Sequence, residues 1–168
     1  MSRCLRAARL LGLLAITLGL LACSDPNGLM APDALKAVVP DLPGWDRTAV
    51  TAQTIDLPEP ATVAGATFTR GNARLDFEIS DTKGASGMVE SLAAMAGANF
   101  HRTLDTGYMK GATVAGSPAI ESWNSADRSG ELSVLVKKRY IINIGGRGID
   151  DASAMRTLAE RMDLARLK

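Results

Sequence analysis

Alternation of apolar and polar positions runs through the middle of the chain. In ATVAGATFTRGNARLDFEISD, residues 61–81, Leu75, Phe77 and Ile79 alternate with Asp76, Glu78 and Ser80. Period two with one apolar face is the pattern of a half-buried antiparallel strand. Gly71-Asn72 divides this stretch into a hairpin, because both residues tolerate positive φ. Upstream, RTAVTAQTIDL (47–57) is a candidate first strand. The period changes in SGMVESLAAMAGANFH, 86–101, where Val89, Leu92, Ala96 and Phe100 share a helical face with Met88 and Met95 beside them. Ser86 suits its N-cap, and Ala93, Ala94 and Gly97 let the helix lie close to a sheet. Period two then returns in GYMKGATV and SPAIESWN around an Ala115-Gly116 turn, in ELSVLV with Leu132, Val134 and Val136 inward, and in YIINIG after KKR. A last helix is expected from about Asp150-Asp151, which suit its N-terminus, with Met155, Leu158, Ala159 and Met162 as its apolar stripe.

The order is strands, helix, four antiparallel strands, helix. It predicts an α+β domain: a curved antiparallel sheet with two helices packed on one face. By element order this layout is similar to the PsbP/Mog1-like fold and to the TBP-like arrangement.

The N-terminus follows a different rule. Arg3, Arg6 and Arg9 precede a mostly apolar run, Leu10 to Leu21, that ends on Leu20-Leu21-Ala22-Cys23. The run has about twelve residues, within the ~7–15 of a signal-peptide core and short of the ~20 that span a bilayer. This segment resembles the lipobox of bacterial lipoprotein precursors. The resemblance implies removal of residues 1–22, diacylglycerol on the sulfur of Cys23, and further acylation of the new amino terminus (palmitate-type chains). It covers only the first two dozen residues. Ser24 after the cysteine, rather than aspartate, favours the outer over the inner membrane. Residues 23–36, rich in Pro, Gly, Asn and Asp, are expected to be a lipidated tether, with a single domain over 37–168.

Composition narrows the function. The 168 residues hold 19 basic and 18 acidic side chains; residues 1–22 contain three of the arginines and no acid, so the mature chain has 16 against 18, a formal charge of −2. That is no footprint for nucleic acid. Cys4 leaves with the signal peptide and Cys23 carries lipid, so thiol catalysis and thiolate metal sites are excluded from the mature domain. His101 is the one histidine, which excludes a multi-histidine metal site. No metal and no cofactor are expected.

Several short stretches carry possible chemistry. Ser80 and Lys83 have the Ser-x-x-Lys spacing of serine penicillin-binding proteins and β-lactamases, but the partner motifs of that family are missing, and a strand-end turn is the expected reading. IGGRGIDD, 144–151, is a Gly-rich passage from strand to helix; its two aspartates would repel the phosphate that such loops cradle. Asp76 and Glu78 project from one side of a strand, as a carboxylate pair or a solvated face. Lys137, Lys138 and Arg139 could touch anionic head groups or form a solvated turn. His101 is placed at a helix C-terminus. Trp45, Trp123, Tyr108 and Tyr140 line a pocket or pack in the core, with Trp45 as a core anchor. The expected function is that of a non-catalytic binding or interaction module of the cell envelope, held on the bilayer through acylated Cys23, with its domain in the periplasm and an envelope protein as possible partner. A carrier of lipid or another apolar ligand is the alternative, and an envelope hydrolase the second.

Overall fold

The computed structural model describes residues 28–56, 59–84, 87–97 and 100–167. The stretch expected to be a signal peptide (1–22), with the expected lipobox residues Leu20, Leu21 and Ala22, and the expected lipidation site Cys23 lie outside the described residues, as does Ser86.

A short helix α1 (Pro32–Lys36) leads into strands β1 (Asp46–Arg47), β2 (Thr51–Ile55), β3 (Ala61–Arg70) and β4 (Ala73–Asp81). Helix α2 (Gly87–Gly97) follows, then β5 (His101–Leu104), β6 (Gly107–Val114), β7 (Ser117–Asn124), β8 (Ser129–Val136) and β9 (Tyr140–Arg147). Helix α3 (Ser153–Glu160) and a 3-10 turn at Leu164–Arg166 close the chain. All nine strands form one antiparallel sheet in the order β1-β3-β4-β9-β8-β7-β6-β5, with β2 also paired to β3. The meander from β5 to β9 therefore returns to the middle of the sheet and locks β9 between β4 and β8.

The expected hairpins form where the pattern placed them. Arg70 pairs with Ala73 across Gly71, whose φ is +58°. Val114 pairs with Ser117 across Ala115 (φ +46°) and Gly116 (φ +76°), the two positive φ values of a primed turn that matches strand twist. Leu75, Phe77, Ile79, Leu132 and Val134 are buried together on one face of the sheet, as their alternation required.

The helices do not share that face. Helix α3 buries Met155, Leu158 and Ala159, and α1 buries Leu35, both against the face that carries Phe68, Leu75, Phe77, Ile79, Leu132, Val134, Ile142 and Ile144. Helix α2 instead packs Val89 and Leu92 on Leu135 and Ile141. Leu135 lies between Val134 and Val136, and Ile141 between Tyr140 and Ile142, so in a strand they point the other way. The expectation of two helices on one face is thus corrected: α1 and α3 lie on one side of the sheet and α2 on the other. Glycine permits close approach on both sides. A Cβ at Gly111 would meet the Ala96 carbonyl at 3.2 Å under α2, and one at Gly146 would meet Ile149 Cδ1 at 2.5 Å beside α3.

Four further details differ from expectation. Leu29 and Leu35 are buried, at 2% and 0% exposure, so residues 29–36, assigned to the tether from sequence, pack into the domain. The first strand is two pieces, β1 and β2, rather than one run. His101 opens the exposed edge strand β5 instead of ending a helix. Helix α3 begins two residues after Asp151, whose Oδ1 accepts the Ser153 backbone N–H at 2.7 Å.

Candidate functional site

Strand parity divides the sheet into two faces with different chemistry. On the α1/α3 face, two carboxylates stand at inward positions. Asp81 continues the Leu75-Phe77-Ile79 series and is 0% exposed. Arg139 donates to it twice, at 2.7 and 2.6 Å, and the backbone N–H groups of Met30 and Lys83 donate at 2.7 and 3.1 Å. Arg139 also donates to the Gly28 carbonyl at 3.1 Å and lies over the Tyr140 ring. The cluster ties the start of the domain to the ends of β4 and β9.

The second is Glu121, which falls between Ala119 and Trp123 on β7 and is also 0% exposed. Arg156 of α3 donates to both of its oxygens. Tyr108 donates its hydroxyl at 2.6 Å, and the Lys110 ammonium lies 3.6 Å away and over the Tyr108 ring. Burial alone would raise both acids; hydrogen bonds from Arg139 and the Met30 and Lys83 amides for Asp81, and from Arg156 and Tyr108 for Glu121, outweigh it and hold both below the usual carboxylate range. Burial and the Glu121 carboxylate push Tyr108 up to about 12. No buried polar side-chain atom of the described residues lacks a partner. These groups are satisfied and enclosed, and they act as fasteners between elements.

Their linkage to pH has a definite sign. A depressed carboxylate binds fewer protons folded than unfolded, so its contribution is present above the unfolded pKa and lost as pH falls through the folded one. Thermal stability should hold from neutrality down to about pH 5 and fall below about pH 4. A melting series by circular dichroism checks this; a melting temperature that rises below pH 4 would contradict it.

The opposite face is only half covered. Its row Val63, Ser80, Ile141, Leu135 lies toward α2. The next row contains Gly65, Glu78, Asn143 and Ser133, and the one after it Thr67, Asp76, Gly145, Glu131, Ser122 and Met109. The first of these rows continues through Ile120 and Gly111 beneath α2; outside that cover, and apart from Met109, the two rows are polar and open. Adjoining clefts of about 410 and 510 Å³ lie along them and share Asp76 and Gly145. A Cβ at Gly145 would meet nothing within 4 Å, so its bare backbone forms an open floor between Asp76 and Glu131. Asp76 accepts from Arg74 and from the Thr67 hydroxyl at 2.9 Å; the Arg74 guanidinium lowers its pKa. Ser133 and Asn143 are hydrogen-bonded at 2.8 Å. Glu78 and Glu131 are exposed. The trough thus offers carboxylates, hydroxyls, amides and a strip of backbone on a shallow surface, which suits a partner that presents hydrogen-bond donors.

The other sequence candidates are dispersed. The Ser80 hydroxyl donates to the Ile141 carbonyl at 3.4 Å on the α2 side, while the Lys83 ammonium lies beside Gly28. The fold therefore does not bring Ser80 and Lys83 together as a nucleophile and base. In the 144–151 passage, Arg128 donates to the carbonyls of Gly148 and Ile149 at 3.1 and 3.3 Å and pairs with Asp150. Lys137 reaches the Leu167 carbonyl. Tyr140 is core and Trp123 packs against the core, Trp45 is half-buried beneath the Arg70 guanidinium, and His101 is exposed. Sequence reasoning missed Asp81, Glu121, Arg139 and Arg156 as a set. An acid at an inward position of an alternating strand was the available signal.

Among the described residues, no helix is long and apolar enough to cross a membrane, and no group of three or more His, Cys, Asp or Glu side chains is placed to hold a metal ion. No family model, curated protein or solved structure matches the chain.

Proposed function

We propose that this chain is an envelope lipoprotein, anchored in the outer membrane through acylated Cys23, whose periplasmic domain is a non-catalytic binding module. The observation that carries the reading is the uncovered polar half of the sheet face, from Thr67 and Asp76 across Gly145 to Glu131 and Ser122. A sheet normally buries an apolar face beneath a second layer; here the layer stops at α2 and polar side chains replace apolar ones beyond it. A shallow trough of this kind suits an envelope protein partner better than an enclosed small ligand, which calls for a concave and mostly apolar pocket. The space a lipid carrier would need on the α1/α3 side is filled by Phe68, Leu75, Phe77, Leu132, Ile142, Ile144, Met155 and Leu158. The similarity in element order to PsbP/Mog1-like and TBP-like layouts bears on fold alone.

Photo-cross-linking in cells tests the binding reading. A genetically encoded photo-reactive residue at Ser122 or Glu131 of the full-length chain should give a discrete higher-mass adduct. The same residue at Thr157, exposed on α3 on the far side of the sheet, should not. Equal adducts from both faces, or none from the trough, would remove the support for a partner there.

A further inference from the structure

A lipid anchor at Cys23 would hold the start of the domain close to the bilayer. Four residues lie between Cys23 and Gly28, which makes five steps along the chain. At ~3.6 Å per residue the tether reaches at most about 18 Å, so the end of the domain that holds Gly28 must stay near the bilayer. That end is basic where the chain emerges. A Cβ on Gly28 would lie 3.3 Å from Lys83 Cε and 3.4 Å from its Nζ, and Arg139 donates to the Gly28 carbonyl at 3.1 Å. The β4 end and the β8–β9 turn touch: a Cβ on Gly84 would lie 2.5 Å from the Lys138 carbonyl oxygen. Lys83 and Lys138 are exposed, and among the described residues neither has a carboxylate within ion-pair distance. Arg139 is committed to Asp81. The nearest acid is Asp81, which is buried, accepts the Lys83 backbone N–H at 3.1 Å and is neutralised by Arg139; Asp56 and Glu59 lie beside the β2–β3 turn at the same end of the sheet.

Resting on the anchored reading, we infer that Lys83 and Lys138 form a docking surface for anionic phospholipid head groups, which holds the domain with its strands steep to the membrane and the polar trough reaching into the periplasm. Charge complementarity and the short tether support that occupant: a cation held near an anionic leaflet is attracted, and two act together. The turns at the other end of the sheet, Thr106 among them, then stand roughly 30 Å farther from the surface, the length of strands of eight to ten residues at ~3.3 Å each.

The mature chain offers a clean test, since it has no cysteine besides Cys23. Acylated full-length mature protein is placed on vesicles of neutral phosphatidylcholine, with or without phosphatidylglycerol. Ala115→Cys, at the Gly28 end, or Thr106→Cys, at the far end, carries a fluorophore, and a head-group quencher reports proximity. With phosphatidylglycerol, the label at 115 should be quenched and the label at 106 spared. In Lys83→Glu/Lys138→Glu the preference for this orientation should fall by about thirty-fold or more, with the melting temperature unchanged. Equal quenching at both ends, or no effect of phosphatidylglycerol or charge reversal, overturns the docking surface. Intact mass of the same sample separates the two claims: a mass without acyl chains would remove the anchor itself.

Discussion

Arg156→Met should destabilise the domain by about 2–3 kcal/mol, below the ~3–5 kcal/mol cost of breaking a fully buried ion pair, because Glu121 is buried but the Arg156 side chain is 39% exposed. Glu121 is 0% exposed and receives donors to both oxygens from Arg156. With Arg156 gone, only the Tyr108 hydroxyl and the Lys110 ammonium at 3.6 Å remain. For a domain of this size the loss is on the order of 10 °C in melting temperature. Glu121→Met/Arg156→Met should recover most of it, because replacing both charges by apolar groups of similar volume removes the stranded carboxylate. The single variant should also reverse its pH response. Without Arg156, burial outweighs the remaining Tyr108 and Lys110 contacts and raises the Glu121 pKa, so the folded state binds the extra proton and stability rises as pH falls from 7 toward 5. Thermal melts of the wild type, the single and the double variant at both pH values check the argument; a double variant less stable than Arg156→Met would contradict it.

Cys23→Ala should abolish acylation and leave a precursor of full length that still carries residues 1–22. The expected change is nearly all-or-none because the chemistry needs the sulfur. One acyl chain binds a bilayer only marginally, at about 10⁴ M⁻¹, whereas two or three on one residue give stable anchoring. Metabolic labelling with a clickable fatty acid should fall to background in the variant, and the variant should no longer fractionate with the outer membrane. Undiminished labelling would place the lipid on another residue.

How far the fold was legible depends on the strand. Where one face is polar, as in β4 with Asp76 and Glu78 outward, alternation gave the strand and its inward set. Strand β5 was hidden because all four of its residues, His101 to Leu104, are exposed, so no apolar period marks it. The side taken by α2 had a signal that the reading passed over. Val134-Leu135-Val136 and Tyr140-Ile141-Ile142 are continuous apolar runs, and a strand apolar on both sides is covered on both sides. Leu29 and Leu35 are buried within the stretch 23–36 that Pro, Gly, Asn and Asp mark as a tether; they enter the core one at a time and leave no apolar period. Asp81 and Glu121 each broke an inward series, and a charge there calls for a partner that only the fold supplies: Arg139 lies 58 positions from Asp81, and Arg156 lies 35 from Glu121. The polar trough was visible only as the pair Asp76 and Glu78. Its other wall, Glu131 and Ser122, arrives through strand order, which places β9 and Gly145 between β4 and β8.

The account turns on the chemical state of residue 23. Mass spectrometry of the N-terminal peptide, from protein purified out of the outer-membrane fraction, reads that state directly. The account predicts a peptide that starts at Cys23 and carries diacylglycerol on sulfur, with a further acyl chain on the amino group. A peptide that retains residues 1–22, or a mature chain with bare Cys23 recovered from the soluble fraction, would contradict it.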